Sequence, residues 1–206
     1  MNGHSLVVEI VGKRKDNEKY HKIIEAATKV FAKNGFYQSR VAQIAKEAGV
    51  ADGTIYIYFE NKDDILISLF EEQMKAVLDN MVCKVSAIDD PAEKLEIFAS
   101  THLGLIEKNK AMAEIIQVEL RQSGKFMKEY KNERFLEYLD IIEDIIIEGQ
   151  KRGLFRKDVI LTVAKRAFFG ALDEVSRFWV LSSRKQYDTE TVAKQISDFF
   201  LNGIKK

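Results

Sequence analysis

Apolar positions recur at steps of three and four along most of the chain, and glycine or capping residues break the runs into successive amphipathic helices. Tyr20, Ile23, Ile24, Ala27, Val30 and Phe31 predict a helix from about Asp16 to Asn34, stopped by Gly35. Met1 to Gly12 has no helical period and is read as an irregular arm. Ser39 is the expected N-cap of a short helix carrying Val41, Ile44 and Ala45, which Gly49 ends; a two-turn segment, Asp52 to Tyr58, follows. Asn61 caps a long helix to about Val85, with Ile65, Leu66, Leu69, Phe70, Met74, Val77, Leu78 and Met81 on its inner side. Asp90-Pro91-Ala92-Glu93 opens a helix to about Lys108, and a shorter one spans about Asn109 to Arg121. A long helix is expected from just after Gln122-Ser123-Gly124 to Arg152, stopped by Gly153.

The last two predicted helices differ from the others. Between Asp158 and Arg184, Ala164, Phe168, Ala171, Val175 and Phe178 form one apolar seam, and Phe169, Leu172, Ser176 and Val180 form a second. The final helix, capped by Asp188 with Tyr187 and Val192 as a hydrophobic staple, carries Val192, Ile196, Phe199, Phe200 and Ile204. One subunit does not cover all of these faces, so the two helices are expected to pair with their twins in a homodimer. The fold class is all-α, with about nine helices: a three-helix domain over residues 13–62 and a larger helical domain over 63–206.

Two short helices joined by a glycine-containing turn form a helix-turn-helix, whose second helix enters the major groove of double-stranded DNA. Asp52, Gly53, Thr54 and Tyr56 are the candidate groove-facing residues, and Ser39, Arg40, Tyr58 and Lys62 the candidate phosphate contacts. For one of Tyr56 and Tyr58 packing inside the domain is the competing role, because a two-turn helix must also bury a face; Ile55 and Phe59 are its expected anchors. The formal net charge is zero, but from Lys13 to Lys62 there are ten Lys and Arg against six Asp and Glu, leaving the rest acidic.

Hydrophobic residues make up 46% of the chain and there is one proline, which fits a folded helical protein. A single cysteine, Cys83, excludes an internal disulfide and fits the cytoplasm. No apolar run reaches the length needed to span a bilayer, so no membrane partner is expected. His4, His21 and His102 lie far apart and share no metal-ligand spacing with Cys83, so neither catalysis, a metal nor a cofactor is expected.

The run Val41-x-x-Ile44-Ala45-x-x-Ala48-Gly49-Val50-Ala51-x-Gly53-Thr54-Ile55-Tyr56-x-Tyr58-Phe59-x-Asn61-Lys62-x-Asp64-x-Leu66 resembles the signature of TetR-family transcriptional regulators. Ala51 departs from it where serine is usual, so the cap of the recognition helix falls to Asp52 or water. The resemblance implies a homodimer joined through its last two helices and reading an inverted repeat, with half-sites about 34–36 Å apart or a multiple of that.

In the larger domain the bulky residues Met74, Phe98, Met112, Ile116, Phe135, Tyr138 and Phe169 are candidates to line a ligand cavity rather than fill a solid core. The polar residues His102, Gln117, Glu119, Arg121, Asp173 and Glu174 interrupt the same helices, and Gly170 leaves room for a chain or a close helix approach. A lone His such as His102 is more often a satisfied core residue than a ligand contact, and Asp173 with Arg177 is readable as an i,i+4 pair. Gln117-Val118-Glu119-Leu120-Arg121-Gln122-Ser123, Phe169-Gly170-Ala171-Leu172-Asp173-Glu174 and Asn61 to Phe70 resemble the Bacillus-type FadR repressors of fatty-acid degradation. That resemblance implies a long-chain acyl-CoA effector that releases the protein from DNA, with Arg121, then Arg134 or Lys131, as candidates for the phosphates. A twelve-carbon chain offers on the order of 9 kcal/mol of gross burial energy at about 0.8 kcal/mol per methylene, more than the roughly 1–3 kcal/mol of a typical allosteric coupling. Competing readings are a multidrug-type regulator, with Glu119, Asp173 and Glu174 as counter-charges to a cation, and an interaction module with no effector.

Overall fold

A computed structural model describes residues 3–120, 123, 131–182 and 187–206, with backbone alone for residues 3–17 and 119. Among the described residues there are nine α-helices and no strand: α1 Gly3–Asn34, α2 Val41–Ala48, α3 Asp52–Tyr58, α4 Lys62–Ser86, α5 Pro91–Lys108, α6 Lys110–Glu114, α7 Glu133–Lys151, α8 Leu161–Leu181 and α9 Thr189–Ile204. A π-helical turn, Ile115–Glu119, continues α6.

Most boundaries fall where caps and glycines put them. Asn61 Oδ1 accepts from Asp64 N (3.0 Å), Asp90 Oδ1 from Ala92 N (3.2 Å) and Asp188 Oδ1 from Thr191 N (2.8 Å). Gly35, Gly49 and Gly153 take positive φ of 74°, 67° and 76° at the ends of α1, α2 and α7. Three boundaries differ from expectation. α1 begins at Gly3, not Asp16, because no proline interrupts the backbone and extending a formed helix costs little compared with starting one. The expected long helix is broken at Lys131 and Asn132, which are not helical, and α7 begins at Glu133; residues 124–130, where that helix was expected to start, lie outside the described residues. The cap of α2 is Arg40, whose N–H donates to Gln43 Oε1 (2.8 Å), while the Ser39 hydroxyl donates backwards to Gly35 O (2.6 Å).

One continuous cluster of buried side chains runs from the small domain into the large one. Ile23, Ala27 and Phe31 of α1 meet Ile44 of α2, Ile55 of α3 and Ile65, Leu66 and Leu69 of α4. Beyond Met74, the buried face of α4 joins Leu95, Phe98 and Ala99 of α5, Ile142 and Ile146 of α7 and Phe168 and Leu172 of α8. The Lys94–Glu148 ion pair (2.5 Å) ties α5 to α7, and Lys165 ties α8 to Asp140 (2.6 Å) and Glu143 of α7.

The apolar residues of α8 and α9 divide differently from expectation. Ala164, Phe168, Leu172, Ser176 and Val180 are buried in the subunit, while Ala171, Val163, Phe178 and Leu181 are exposed. In α9, Ala193, Ser197, Leu201 and Ile204 face inward and Phe199 is 70% exposed. Tyr187, expected to staple onto Val192, is exposed, and Val192 is half-buried.

Candidate nucleic-acid interface and effector cavity

The small domain presents one face of α3. Ile55 and the following Phe59 are buried, and Tyr20 stacks on Phe59 (5.4 Å) and meets Tyr58 edge-on (6.4 Å). Tyr58 is therefore the half-buried packing residue of the two tyrosines. Asp52, Gly53, Tyr56 and Ile57, spaced one and four apart, remain exposed together, Tyr56 at 59% and Ile57 at 76%; Thr54 is half-buried. Ala51 caps α3 in an extended conformation without a side-chain hydrogen bond, so Asp52 does not replace the usual serine.

Two expected phosphate contacts point inward instead. The Lys62 ammonium donates to Phe36 O (2.7 Å), Ser39 O (3.0 Å) and Tyr37 O (3.2 Å), and it sits 4.4 Å from the Phe36 ring centroid. These carbonyls belong to the turn between α1 and α2, and the ammonium bonds all three. Desolvation in that position lowers the Lys62 pKa. Ser39 is buried beneath the same turn. Arg40 stays exposed at the start of α2, and Tyr37 just ahead of it is exposed as well.

Between α4, α5, α6, α7 and α8 lies a cavity of about 420 Å³. Its wall is mainly apolar, with Phe70, Met74 and Val77 from α4, Leu105 and Ile106 from α5, Ile116 and Leu120, and Phe135 and Phe169 across from them. On α8 the lining residues Arg166, Phe169, Asp173 and Ser176 share one face over ten residues, about 15 Å at 1.5 Å per residue. The site is thus elongated. The π-helical turn brings two successive residues, Ile116 and Gln117, to the wall. His102 Nδ1 and the Tyr138 hydroxyl are hydrogen-bonded at 2.9 Å, and Gln117 Nε2 donates to Asp173 Oδ1 at 2.9 Å. Burial lowers the His102 pKa to about 4, so its ring is neutral near pH 7, and raises that of Tyr138.

The neutral imidazole and the phenol bonded to it form part of the mainly apolar cavity wall. Among the described residues no group of three or more His, Cys, Asp or Glu side chains is placed to hold a metal ion, and no helix is long and apolar enough to cross a membrane. Residues 23–69 match the family model of bacterial regulatory proteins of the tetR family, and residues 70–203 match the C-terminal region of YsiA-like proteins. The chain belongs to the TetR family. It is a transcriptional regulator, not an enzyme. The fatty acid metabolism regulator of Bacillus subtilis is 39% identical over 186 residues, 90% of this chain and 95% of that protein. The crystal structure of FadR from Bacillus subtilis in complex with stearoyl-CoA superposes with a TM-score of 0.82 at 38% identity, covering 90% of this chain and 99% of that one. FadR from Bacillus halodurans gives 0.81 at 38% identity, covering 90% and 95%.

In this TetR-family fold the cavity gathers Met74, His102, Ile116, Phe135, Tyr138, Phe169 and Asp173 from the expected set. Phe98 and Met112 are buried but lie off the wall; Phe98 packs behind Tyr138 with ring centroids 4.9 Å apart. Gly170 faces outward, one residue off the lining face, and an added Cβ there would meet nothing within 4 Å. Arg121 lies outside the described residues, and Arg134 is paired with Glu71 of α4. Asn132, Arg166 and Ser176 line the cavity although helical periodicity singles out none of them as a ligand contact. Ile57 is similarly unmarked, because an apolar residue on a short helix reads as core.

Proposed function

We propose that the protein is a homodimeric, cytoplasmic repressor of fatty-acid degradation genes that leaves an inverted-repeat operator when long-chain acyl-CoA fills the C-terminal cavity. The observation that carries this reading is the elongated apolar cavity, in a chain that matches a stearoyl-CoA-binding regulator over 90% of its length.

The reading face consists of Asp52, Gly53, Tyr56 and Ile57, with Thr54 at its edge. Arg40 and the N-termini of α2 and α3 serve the phosphates, Tyr58 packs against Tyr20 behind α3, and Lys62 and Ser39 act by holding the turn that sets α2 against α1. Val163, Phe178, Leu181 and Phe199, apolar and exposed in one subunit, form the surface on which two copies join. In the larger domain Gln117 donates to Asp173 on the cavity wall, and Glu174, another residue considered as a counter-charge to a cation, is paired with Arg177.

Thermal melting with added ligand tests the reading. Palmitoyl-CoA at a hundred times its Kd should stabilise the protein by about 2.7 kcal/mol, a rise of roughly 5–10 °C for a chain of this size. A rise with a cationic dye such as rhodamine and none with palmitoyl-CoA would assign the cavity to the multidrug class.

A further inference from the structure

The cavity is chemically uneven along its length, and its polar end holds two buried atoms that the described protein leaves without partners. Lys165 of α8 pairs with Asp140 and Glu143 of α7, while Phe169 meets Phe135 (5.0 Å) and Tyr138 (6.3 Å). α8 therefore runs back along α7, and Ser176 comes level with Asn132 at the start of α7. Both residues line the cavity, and Ser176 Oγ and Asn132 Oδ1 are buried without a hydrogen-bond partner. Gln117 and Asp173 bond each other near the same end, and His102 and Tyr138 do so further along. Buried polar atoms without partners are costly, and an alkyl chain relieves neither. A hydroxyl offers a donor and an amide oxygen an acceptor. The complement is a ligand that presents a carbonyl oxygen and an N–H a few bonds apart.

We propose that Ser176 and Asn132 form the subsite for the thioester end of an acyl-CoA. The Ser176 hydroxyl donates to the thioester carbonyl oxygen, and Asn132 Oδ1 accepts from the nearest amide N–H of the pantetheine arm. The alkyl chain then runs along α8 past Phe169 towards Arg166, an exposed residue that also lines the cavity. This assignment rests on the acyl-CoA reading above and fixes the direction of the ligand within it.

The test compares palmitoyl-CoA with S-hexadecyl-CoA, a thioether in which a methylene replaces the carbonyl, by calorimetric titration of the full chain. The wild type should bind the thioester about tenfold more tightly than the thioether, the effect of one hydrogen bond made in a buried site. Ser176→Ala should bind both with the affinity of the thioether, and Ser176→Thr should restore the preference. Asn132→Ala should weaken both ligands by the same factor, because both retain the amide. Equal wild-type affinities, or a preference that survives Ser176→Ala, would overturn the role of Ser176. Unchanged affinities in Asn132→Ala would overturn the role of Asn132. Failure of the wild type to bind either ligand would instead reject the acyl-CoA reading itself.

Discussion

Ile57 is the most exposed large apolar side chain among the described residues, and it stands beside Tyr56 on the outer face of α3. The thymine methyl is the apolar feature of the major groove, so these two surfaces are suited to meet. Ile57→Ala is expected to weaken operator binding about five- to tenfold in fluorescence anisotropy, within the roughly 1–3 kcal/mol of one good base contact. Deoxyuridine in place of thymidine should penalise the wild type and spare the variant; equal losses would place Ile57 away from a methyl. His102 gives a second prediction. Its folded pKa of about 4 lies below the ordinary value of 6.5, so the unfolded chain takes up a proton first as pH falls. Stability from this site is complete above pH 6.5 and lost as pH falls towards 4, by roughly 2 kcal/mol at pH 5. Melting curves of wild type and His102→Gln should diverge in slope between pH 7 and pH 5, and parallel curves would show that the ring is not held neutral. At this scale the sequence discloses residue type but not direction. Lys62 and Ser39 have the chemistry of phosphate ligands, yet backbone carbonyls more than twenty residues from Lys62 turn its ammonium inward, and no local pattern records that distance.

Among the helices, caps and glycines were the legible part. Asn61, Asp90 and Asp188 cap where their side chains imply, and α3 spans the two turns that its sequence marks out. Periodicity failed where tertiary packing, not local preference, decides. The start of α7 at Glu133 and the extension of α1 to Gly3 carry no terminating residue that would reveal them. Gly149 shows the same limit. It sits at helical spacing in α7 like any small residue, but an added Cβ would lie 2.0 Å from Cδ2 of the buried Phe155, which folds back after Gly153. Gly149→Ala should lower stability by about 1–3 kcal/mol through overpacking, a fall of roughly 3–10 °C in Tm. Gly104→Ala, where an added Cβ meets nothing within 4 Å, should instead be neutral or gain up to about 1 kcal/mol from helix propensity. A neutral Gly149→Ala would mean that Phe155 can leave its slot without cost.

For the whole molecule, α4 links the reading head to the cavity: its first turn caps beside the α1–α2 turn, and Phe70, Met74 and Val77 form cavity wall roughly two to four turns further on. In the proposed mechanism a ligand that displaces this wall would tilt the helix on which the head is mounted, and in a dimer that would change the separation of two recognition helices. The proposed dimer surface has its own test. Phe199→Glu should shift the protein from dimer to monomer in light scattering and reduce operator affinity at least tenfold, whereas an unchanged mass would move the interface elsewhere. Existence of a cavity was legible from bulky and polar residues sharing the same helices, but Ser176 and Asn132 became visible only once α7 and α8 were placed side by side. The most direct measurement is the anisotropy of a labelled inverted-repeat operator bound to the full-length protein, titrated with palmitoyl-CoA. Release of the DNA at micromolar ligand, with no release by free CoA, is the expected result; an operator that stays bound while calorimetry shows the cavity occupied would contradict the coupling of the two sites.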